Sequence, residues 1–444
     1  MEDLFENALI EQEPEEIYRK EPDKYNDRLF KKRDNLTKGN FNVIPYPYKR
    51  ASYYFPGLEK PTYTVITAES KFGKTSFASA AFLLEPLWQA YTNPRLKLWY
   101  HYCNLEESED RIKDRIVSWL LYKYTNGTIR IGYRDLNSAT VPLPEEVSNV
   151  LESDDFKEIR DFFFSRIEFD DNSYPTGLEI GIKQFANKHG QILRGESFTT
   201  ENNITGKKST YKTVIGYQQN DEDEFLIVFA DNLNNVSPES GQTLLQAITK
   251  VSKFFKDIRN KFNFIIIALQ QLSADSDSNE AFKLQRYEPR ITQLGDCKQV
   301  RRDVNSGIAI FSPTMKFEGL DPGDPRRHIY KGYNLDKFGD YFRTINFLID
   351  RDGASSVTFP MYFDGKIDLW EELPLPSDTE SLQGYYDRLE QIKIQEAEDK
   401  RYKDEYKRTN HHSVNFFMAI KKINNRITKS KVFRYLCNPF KINN

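Results

Sequence analysis

Three adjoining segments near the start of the chain decide its fold: residues 63–67 read YTVIT, residues 68–75 read AESKFGKT, and residues 76–82 read SFASAAF. The first segment is an apolar run typical of a buried strand, and the third has the small and apolar residues of a buried helix. A loop between them that ends in Gly-Lys-Thr predicts a phosphate-binding loop, because its backbone N–H groups and the positive end of the following helix can surround a triphosphate. An ordinary strand-to-helix turn is the alternative.

The predicted loop assigns chemistry to individual side chains. Lys74 is expected to reach the β- and γ-phosphates of ATP, and the Thr75 hydroxyl is expected to bind Mg²⁺. The first position of such a loop is usually glycine, but here it is Ala68. The predicted nucleotide-binding residues are Ala68, Glu69, Ser70, Lys71, Phe72, Gly73, Lys74, Thr75 and Ser76.

Length and composition place limits on the class of protein. The 444 residues suffice for one large core with appendages or for two domains, and the formal net charge is -3. No stretch approaches the roughly 20 apolar residues of a membrane span, and the acidic start lacks a secretory signal, so a cytoplasmic protein without a membrane partner is expected. Cys103, Cys297 and Cys437 are scattered, which argues against a disulfide framework or a zinc site.

The pattern along the chain predicts three parts. Residues 1–50 are charged and indicate an arm. In residues 51–375 strand-like and helix-like segments alternate, which predicts an α/β fold with a mostly parallel central sheet flanked by helices. Within it, residues 190–222 are polar and read as a surface insertion, with a hairpin around residues 204–207 as one interpretation. Residues 376–444 predict a helical, basic tail.

The tail has two distinguishing patterns. Ser377 and Glu380 predict a capping box, after which apolar residues at helical spacing form a stripe expected to dock on the core. Its members are Leu382, Tyr385, Tyr386, Leu389 and Ile392. From residue 401 onward, eleven basic residues face only two acidic ones, which indicates either nonspecific affinity for DNA or an acidic partner, or simply a solubilising tail.

Polar residues close three further strand-like runs. Residues 98–103 lead into Asn-Leu-Glu-Glu, where Glu106 can orient and deprotonate a water molecule, or merely favour the helix that Ser108 can cap. Residues 225–231 end in Asp231, which either holds Mg²⁺ through water or starts a turn. Residues 262–269 precede Gln270-Gln271, where an amide can sense the γ-phosphate.

In this order the motifs resemble those of the DnaB-type replicative helicases, ring-forming members of the RecA-like ATPase superfamily. The family's loop reads Ala-Arg-Pro-Ser-Met-Gly-Lys-Thr, so the resemblance accommodates Ala68. The family's Ser-Leu-Glu-Met is similar to residues 104–107, which implies that Glu106 is the catalytic glutamate. Its Asp-Tyr-Leu-Gln-Leu resembles residues 231–235, and its Ser-Gln-Leu-Asn resembles residues 270–273, which makes Gln271 the sensor.

The resemblance covers roughly residues 50–372 and includes an arginine finger. The family's Lys-x-Arg-Asn-Gly-Pro-Thr-Gly-Thr-Val is similar to residues 349–357, which puts Arg351 on the finger that reaches a neighbouring subunit's ATP. Ile349 replaces the family's lysine, so another cation such as Arg343 is an alternative. A purely structural Arg351 that pairs with Asp350 is the other interpretation.

The resemblance implies an ATP- and Mg²⁺-dependent helicase that moves 5′ to 3′ on single-stranded DNA as a homo-oligomer, expected to be a hexameric ring. A site shared between subunits requires head-to-tail contacts, which close as a ring. The family's amino-terminal domain is absent from residues 1–50, which suggests a compact phage gene and an arm that docks on the next subunit. Primase or a helicase loader is the expected partner. A RecA-like accessory or recombination ATPase without unwinding activity, and a nucleotide-binding scaffold or loader, remain alternatives.

Two loops are candidates for DNA contact. The first spans residues 234–242, and the second lies between Leu272 and Ser306. Basic residues in the second loop can track phosphates without reading bases, although acidic residues dilute their field and a solvated loop is the alternative. Those acidic residues include Asp275, Asp277, Glu280, Glu288 and Asp296. Those basic residues are Lys283, Arg286, Arg290, Lys298, Arg301 and Arg302.

Overall fold

The fold, taken from a computed structural model, is described for residues 21–201, 208–272, 287–293, 298–351 and 356–429. The strands are β1 (Val43–Pro45), β2 (Gly57–Glu59), β3 (Thr62–Ala68), β4 (Leu98–Asn104), β5 (Ile167–Asp170), β6 (Gly190–Glu201), β7 (Lys208–Gln219), β8 (Phe225–Asp231), β9 (Ile265–Gln271), β10 (Ser306–Phe311), β11 (Ile329–Tyr330), β12 (Tyr333–Asn334), β13 (Phe342–Asp350), β14 (Val357–Asp364) and β15 (Leu369–Glu372).

The α-helices flank these strands. They are α1 (Glu21–Lys38), α2 (Lys49–Tyr54), α3 (Lys74–Ser79), α4 (Glu85–Thr92), α5 (Glu109–Tyr124), α6 (Tyr133–Leu136), α7 (Glu145–Glu152), α8 (Asp154–Ser165), α9 (Pro175–His189), α10 (Leu244–Phe262), α11 (Lys298–Asp303), α12 (Pro313–Phe317), α13 (Leu335–Phe338) and α14 (Thr379–Lys429). In the described ranges, no helix is both long enough and apolar enough to cross a bilayer.

Nine strands form one sheet in the order β15-β14-β13-β10-β3-β9-β8-β4-β5. The strands from β10 to β5 are parallel, and β13, β14 and β15 extend the sheet with antiparallel pairing. Every residue of β8 is buried, as expected for a parallel strand covered on both faces. The predicted α/β class with a mostly parallel central sheet is therefore confirmed.

Two separate cores cover the two faces of the sheet, as alternation along β3 shows. Ile66 and Ala68 belong to one apolar cluster, and Tyr63 and Val65 belong to the other. Successive side chains of a strand point to opposite faces, so β3 is packed from both sides. The phosphate loop that follows β3 is therefore fixed at the centre of the sheet.

The helix after the phosphate loop is interrupted by a π-helical turn, Ala80–Leu84, between α3 and α4. The interruption comes just before Pro86, which has no N–H and cannot bond to the carbonyl of Phe82 four residues earlier. Instead, the Tyr100 hydroxyl on β4 donates to that carbonyl at 2.9 Å. A buried backbone acceptor is thereby satisfied across the core.

Removing this donor should destabilise the protein. Tyr100→Phe is expected to lower the free energy of unfolding by about 1–3 kcal/mol, because the Phe82 carbonyl would be buried without a donor. Urea denaturation measures the change. The control is Tyr48→Phe, since the buried Tyr48 hydroxyl has no hydrogen-bond partner in the described part of the chain. Equal losses in the two variants would contradict the assignment.

The antiparallel edge of the sheet folds over the helix that follows the phosphate loop. We call β14, β15 and the turn at residues 364–368 between them the edge hairpin. Two arginines from outside the sheet hold its turn: Arg115 donates to Asp368 at 2.8 and 2.9 Å, and Arg130 donates to Asp364 at 2.5 and 2.9 Å. These bidentate pairs are largely buried, so their fixed geometry orients the hairpin.

The arm contacts the core of its own chain. β1 pairs with β2, and Ile44 and Tyr48 are buried in the core. Helix α1 is attached by ion pairs, among them Lys32 with Glu59 at 2.7 Å. Docking of the arm on a neighbouring subunit stays a prediction.

The polar insertion contains a two-stranded antiparallel ribbon formed by β6 and β7. The predicted hairpin tip at residues 204–207 lies outside the described residues. At the base of the ribbon, Tyr217 stacks on Phe262 and its hydroxyl donates to the Ala186 carbonyl at 2.7 Å. The ribbon is therefore anchored to α9 and α10.

The predicted apolar stripe of the tail lies on α14. Leu382, Leu389 and Ile392 are buried, so the tail helix docks on the core as expected. The capping box expected from Ser377 and Glu380 is wrong: α14 begins at Thr379, and the Asp378 carboxylate accepts from the N–H of Ser381 at 3.1 Å. Aspartate at this position fits the helix start because its side chain reaches the free N–H groups of the first turn.

Candidate nucleotide-binding site

The phosphate loop follows the central strand β3 and ends at Gly73. Gly73 has φ +98°, and a Cβ there would stand 3.0 Å from the Trp370 ring and 3.2 Å from the Phe363 ring. Only glycine combines that backbone conformation with so close an approach. The edge hairpin therefore fixes the point at which the loop turns into α3.

Two buried cations contact residues of the phosphate loop. Lys316 on α12 contacts the Glu69 carboxylate at 2.8 Å. The Arg343 guanidinium donates to the carbonyls of Phe72 and Asp340, and burial lowers its pKa to about 10. Arg343 is 3% exposed. Its suggested role as a substitute finger is therefore wrong, because it is enclosed under its own phosphate loop.

The predicted metal-binding pair is brought together. The Thr75 hydroxyl on α3 donates to the Asp231 carboxylate at the end of β8 at 3.3 Å, although β9 separates β8 from β3, the strand that leads into the phosphate loop. Burial raises the pKa of Asp231 to about 6, with the neighbouring Glu106 acting in the same direction and Lys74 opposing it. A hydroxyl beside a carboxylate suits Mg²⁺, which prefers oxygen ligands and usually takes only a few from the protein.

The same carboxylates affect the pKa of the Lys74 ammonium group. Burial lowers its pKa, and the carboxylates of Asp231 and Glu106 raise it. The two carboxylates thus offset only part of the effect of burial on this ammonium. The role of Lys74 in binding phosphates stays a prediction.

Glu106 lies at the end of β4, next to the end of β8. In the parallel register Asn104 faces Asp231, and the N–H of Leu105 donates to the Asp231 carbonyl at 2.9 Å. The exposed Glu106 carboxylate accepts one hydrogen bond, from the Asn232 amide at 3.3 Å. Ser108 stands at the start of α5, but its side chain makes no capping bond. The role of Glu106 as the base that activates water stays a prediction.

Gln271 lies beside the phosphate loop, because β9 pairs with β3 and Gln271 faces Ala68 in the register. Its N–H donates to the Asn234 side chain at 2.9 Å, which connects it to the loop after β8, and its own side chain is exposed. Gln270 is buried. The structure thus places the predicted sensor at the edge of the site.

Arg351 lies at the other end of the sheet. Ser306 pairs with Thr64 on one side and with Asp350 on the other, so Arg351 is near the amino ends of the parallel strands, roughly 13 Å or more below the level of Ala68 at about 3.3 Å per residue. Its guanidinium donates to the Arg302 carbonyl at 2.6 Å. Arg351 therefore does not belong to the phosphate site of its own chain.

The candidate DNA loops differ in charge. Residues 234–242 contain no Lys or Arg, and their carboxylate, Glu239, is bound by Lys250 at 2.7 Å. In the second loop Lys283 and Arg286 lie outside the described residues. The others, Arg290, Lys298, Arg301 and Arg302, are exposed. Among the described residues, exposed cations thus favour the second loop over the first as the candidate for DNA contact.

Sequence reasoning did not find three side chains that support the site. Trp370 donates from its indole N–H to the Ser76 hydroxyl at 3.0 Å. Lys316 pairs with Glu69 of the phosphate loop, and Arg115 donates to Asp368 of the edge hairpin. No local sequence motif identifies these three residues, because each contacts the site from a distant part of the chain.

Comparisons with solved structures identify the fold. One solved structure, described as an ATPase domain, has a TM-score of 0.52 and 15% identity, with 80% of this chain and 100% of that one covered. A DnaB-like replicative helicase, described with its interactions with primase, has a TM-score of 0.48 and 15% identity, with 78% and 65% covered. The RadB recombinase has a TM-score of 0.37 and 11% identity, with 74% and 98% covered. No protein-family model and no curated protein sequence matches the chain.

The similarity to the solved ATPase domain and the sheet order define the fold: the chain shares the α/β fold of that domain. At 15% identity the likeness shows the fold alone. The chain spans 65% of the DnaB-like helicase structure.

Substitution of Gly73 should damage both the fold and nucleotide binding. Gly73→Ala forces a side chain into a left-handed backbone and against Trp370, at a cost of about 1–2 kcal/mol for the backbone alone. Thermal unfolding and binding of a fluorescent ATP analogue measure the two effects. Gly241→Ala is the control, since Gly241 has φ +79° but no atom within 4 Å of the added Cβ. The prediction fails if both variants bind the analogue as the wild type does.

The raised pKa of Asp231 predicts a pH dependence. A cation requires the ionised carboxylate, so the Mg²⁺-dependent part of nucleotide affinity should fall by up to about tenfold per pH unit below pH 6. Without metal, the Asp231 carboxyl keeps its proton up to about pH 6 in the folded chain but only up to its ordinary pKa of 3.8 in the unfolded chain. Its contribution to the stability of the fold therefore decreases as the pH rises from the lower to the higher of these two values. Isothermal titration with Mg²⁺ and a nonhydrolysable ATP analogue between about pH 5 and 8 tests this. Asp231→Asn should bind weakly and show a smaller change of affinity between those pH values than the wild type, since only the titration of the nucleotide's own phosphate remains.

Proposed function

We propose that the chain is the core of an ATP-dependent, ring-forming replicative DNA helicase that moves on single-stranded DNA. The observation that carries the proposal is the convergence of Lys74, Thr75 and Asp231 at the carboxyl edge of the sheet, with Glu106 beside them. These groups can bind a triphosphate and activate water, which are the requirements for ATP hydrolysis.

Each side chain has a role in the proposed reaction. Lys74 binds the β- and γ-phosphate oxygens, and Thr75 and Asp231 are the residues that would hold Mg²⁺. When bound, Mg²⁺ supplies charge neutralisation on the triphosphate. Glu106 orients the attacking water and accepts its proton. Gln271, level with Ala68, senses the γ-phosphate and passes its state to the following DNA loop.

The position of Arg351 supports a ring. It lies at the opposite end of the sheet from its own phosphate loop, so it can assist hydrolysis only in another subunit. Such a heterologous contact repeats head-to-tail and closes as a ring, for which we take six subunits from the family resemblance. An arginine finger that contacts transferring phosphate typically supplies about 10³–10⁵ in rate.

The DNA-binding part of the proposal rests on the exposed cations of the second loop. Arg290, Lys298, Arg301 and Arg302 can neutralise phosphates without reading bases. Primase or a helicase loader is the proposed protein partner, and a phage replication gene is the proposed origin.

A second candidate is an ATPase without unwinding activity, either a recombination accessory or a scaffold. Ile349 favours it, because a neutral side chain stands where the resemblance expects a lysine beside the finger. The enclosed position of Arg343 favours it too, since that cation is not a replacement. Detectable strand displacement by the wild type would decide for the helicase.

The ring proposal predicts a particular pattern of ATP hydrolysis. The rate should rise with single-stranded DNA and cooperatively with protein concentration. Lys74→Ala should abolish it through lost phosphate binding, and Arg351→Ala should lower it by about 10³ or more with nucleotide affinity retained. Steady-state hydrolysis at several protein concentrations is the measurement.

Arg160→Ala is the matched control, because Arg160 is a surface arginine on α8 that pairs with Asp161 at 2.7 Å. It should behave as the wild type. Hydrolysis that is lost in Lys74→Ala but indifferent to DNA and to Arg351→Ala would rule out the ring motor and leave the second candidate.

A further inference from the structure

The Glu106 side chain makes few contacts that could fix its position. It is exposed, and its carboxylate accepts a single hydrogen bond at 3.3 Å. A general base must be held near the water that it activates, because a misplacement of about 1 Å can cost about 10²-fold in rate. The residues on either side of Glu106 must therefore supply the constraint.

Leu105, which precedes Glu106, is held by the sheet, and Glu107, which follows it, is held by two arginines. Leu105 is bonded to the backbone of β8. Glu107 forms an ion pair with Arg111 at 3.2 Å on one carboxylate oxygen and accepts a hydrogen bond from Arg115 at 3.1 Å on the other. Both oxygens of Glu107 therefore have a cation, and its orientation is fixed.

Arg115 connects this segment to the edge hairpin. Its guanidinium holds Glu107 through one nitrogen and Asp368 through two others. The side chain is 13% exposed, so the three bonds are poorly screened. A planar guanidinium can hold two carboxylates at once, which an ammonium group does less well.

The edge hairpin carries the connection to the phosphate loop. Two residues after Asp368, Trp370 donates to Ser76 and packs against Gly73. The contacts run from Glu107 through Arg115 and Asp368 to the helix that would bind the phosphates. The end of β4 and the phosphate loop are thus related by side chains as well as by the sheet.

We propose that Arg115 is a positioning residue: it holds Glu107, and through the backbone Glu106, at a fixed place relative to the phosphate loop. The inference rests on the proposed role of Glu106 as the catalytic base. Arg115 does not touch the reacting atoms. Its loss should therefore slow hydrolysis without weakening nucleotide binding.

The chain offers close controls for both ends of this connection. Glu109 also lies at the start of α5 and pairs with a basic residue one turn later, Lys113, but it does not contact Arg115. Arg130 also forms a largely buried bidentate pair with the edge hairpin, through Asp364, but it does not contact Glu107. Each control preserves the type of interaction and omits the link to Glu106.

The test compares Glu107→Gln with Glu109→Gln in the full chain, by kcat for ATP hydrolysis, affinity for a fluorescent ATP analogue and thermal unfolding. Glu107→Gln should lower kcat by about tenfold or more with analogue affinity within about twofold of the wild type. Glu109→Gln should change neither. Arg115→Lys, compared with Arg130→Lys, is the second pair, and only Arg115→Lys should reproduce the selective loss of kcat.

Three results would overturn the inference, and Glu106→Gln separates its failure from that of the proposed function. If Glu106→Gln abolishes hydrolysis while Glu107→Gln and Arg115→Lys keep wild-type kcat, the positioning role is wrong and the base assignment stands. If Arg115→Lys and Arg130→Lys lower kcat equally, the effect is general loss of structure. A Glu106→Gln variant that hydrolyses ATP normally would refute the base assignment and the positioning role together.

Discussion

The contact between Gly73 and the Trp370 ring is the constraint on which the rest of the site depends. It brings the last strand of the sheet against the first turn of the helix that would bind the phosphates. Both partners are thereby restricted: residue 73 must lack a side chain, and the edge hairpin must fold over α3. The Arg115 and Arg130 pairs then hold the hairpin in that place. The geometry of the loop thus depends on residues nearly 300 positions later in the chain.

The charged side chains around the site form two groups, each with one cation between two carboxylates. Lys74 faces Asp231 and Glu106, while Arg115 faces Glu107 and Asp368. Burial makes ionisation of Asp231 costly, which is why the pKa of its carboxyl is raised to about 6. A positive charge beside the carboxylate lowers this cost, as the opposing effect of Lys74 on the same pKa shows.

Local patterns predicted the central strands, the phosphate loop and the strand ends of the site, because period, chain order and turn chemistry are written in adjacent residues. Asp231 and the pair Gln270-Gln271 could be singled out because each closes a continuous apolar run, whereas the choice of Gln271 as the sensor rests on the family resemblance. The surroundings were not predictable, because Arg343 is buried only by the way β13 crosses under the loop. The cap expected at Ser377 is supplied by the next residue, Asp378, since several polar residues compete at the start of α14. Such choices depend on packing that no single segment contains.

The ribbon of β6 and β7 has a consequence for behaviour in concentrated solution. Within the described residues it joins no third strand, so both of its outer edges present unpaired N–H and C=O groups, which are templates for association with other strands. The register between the two strands shifts on either side of Arg194, and Arg194, Glu196 and Lys212 are exposed. Irregular pairing and charged side chains are the usual means of discouraging edge-to-edge aggregation. The irregular pairing of this ribbon thus opposes association of its edges with strands of other molecules.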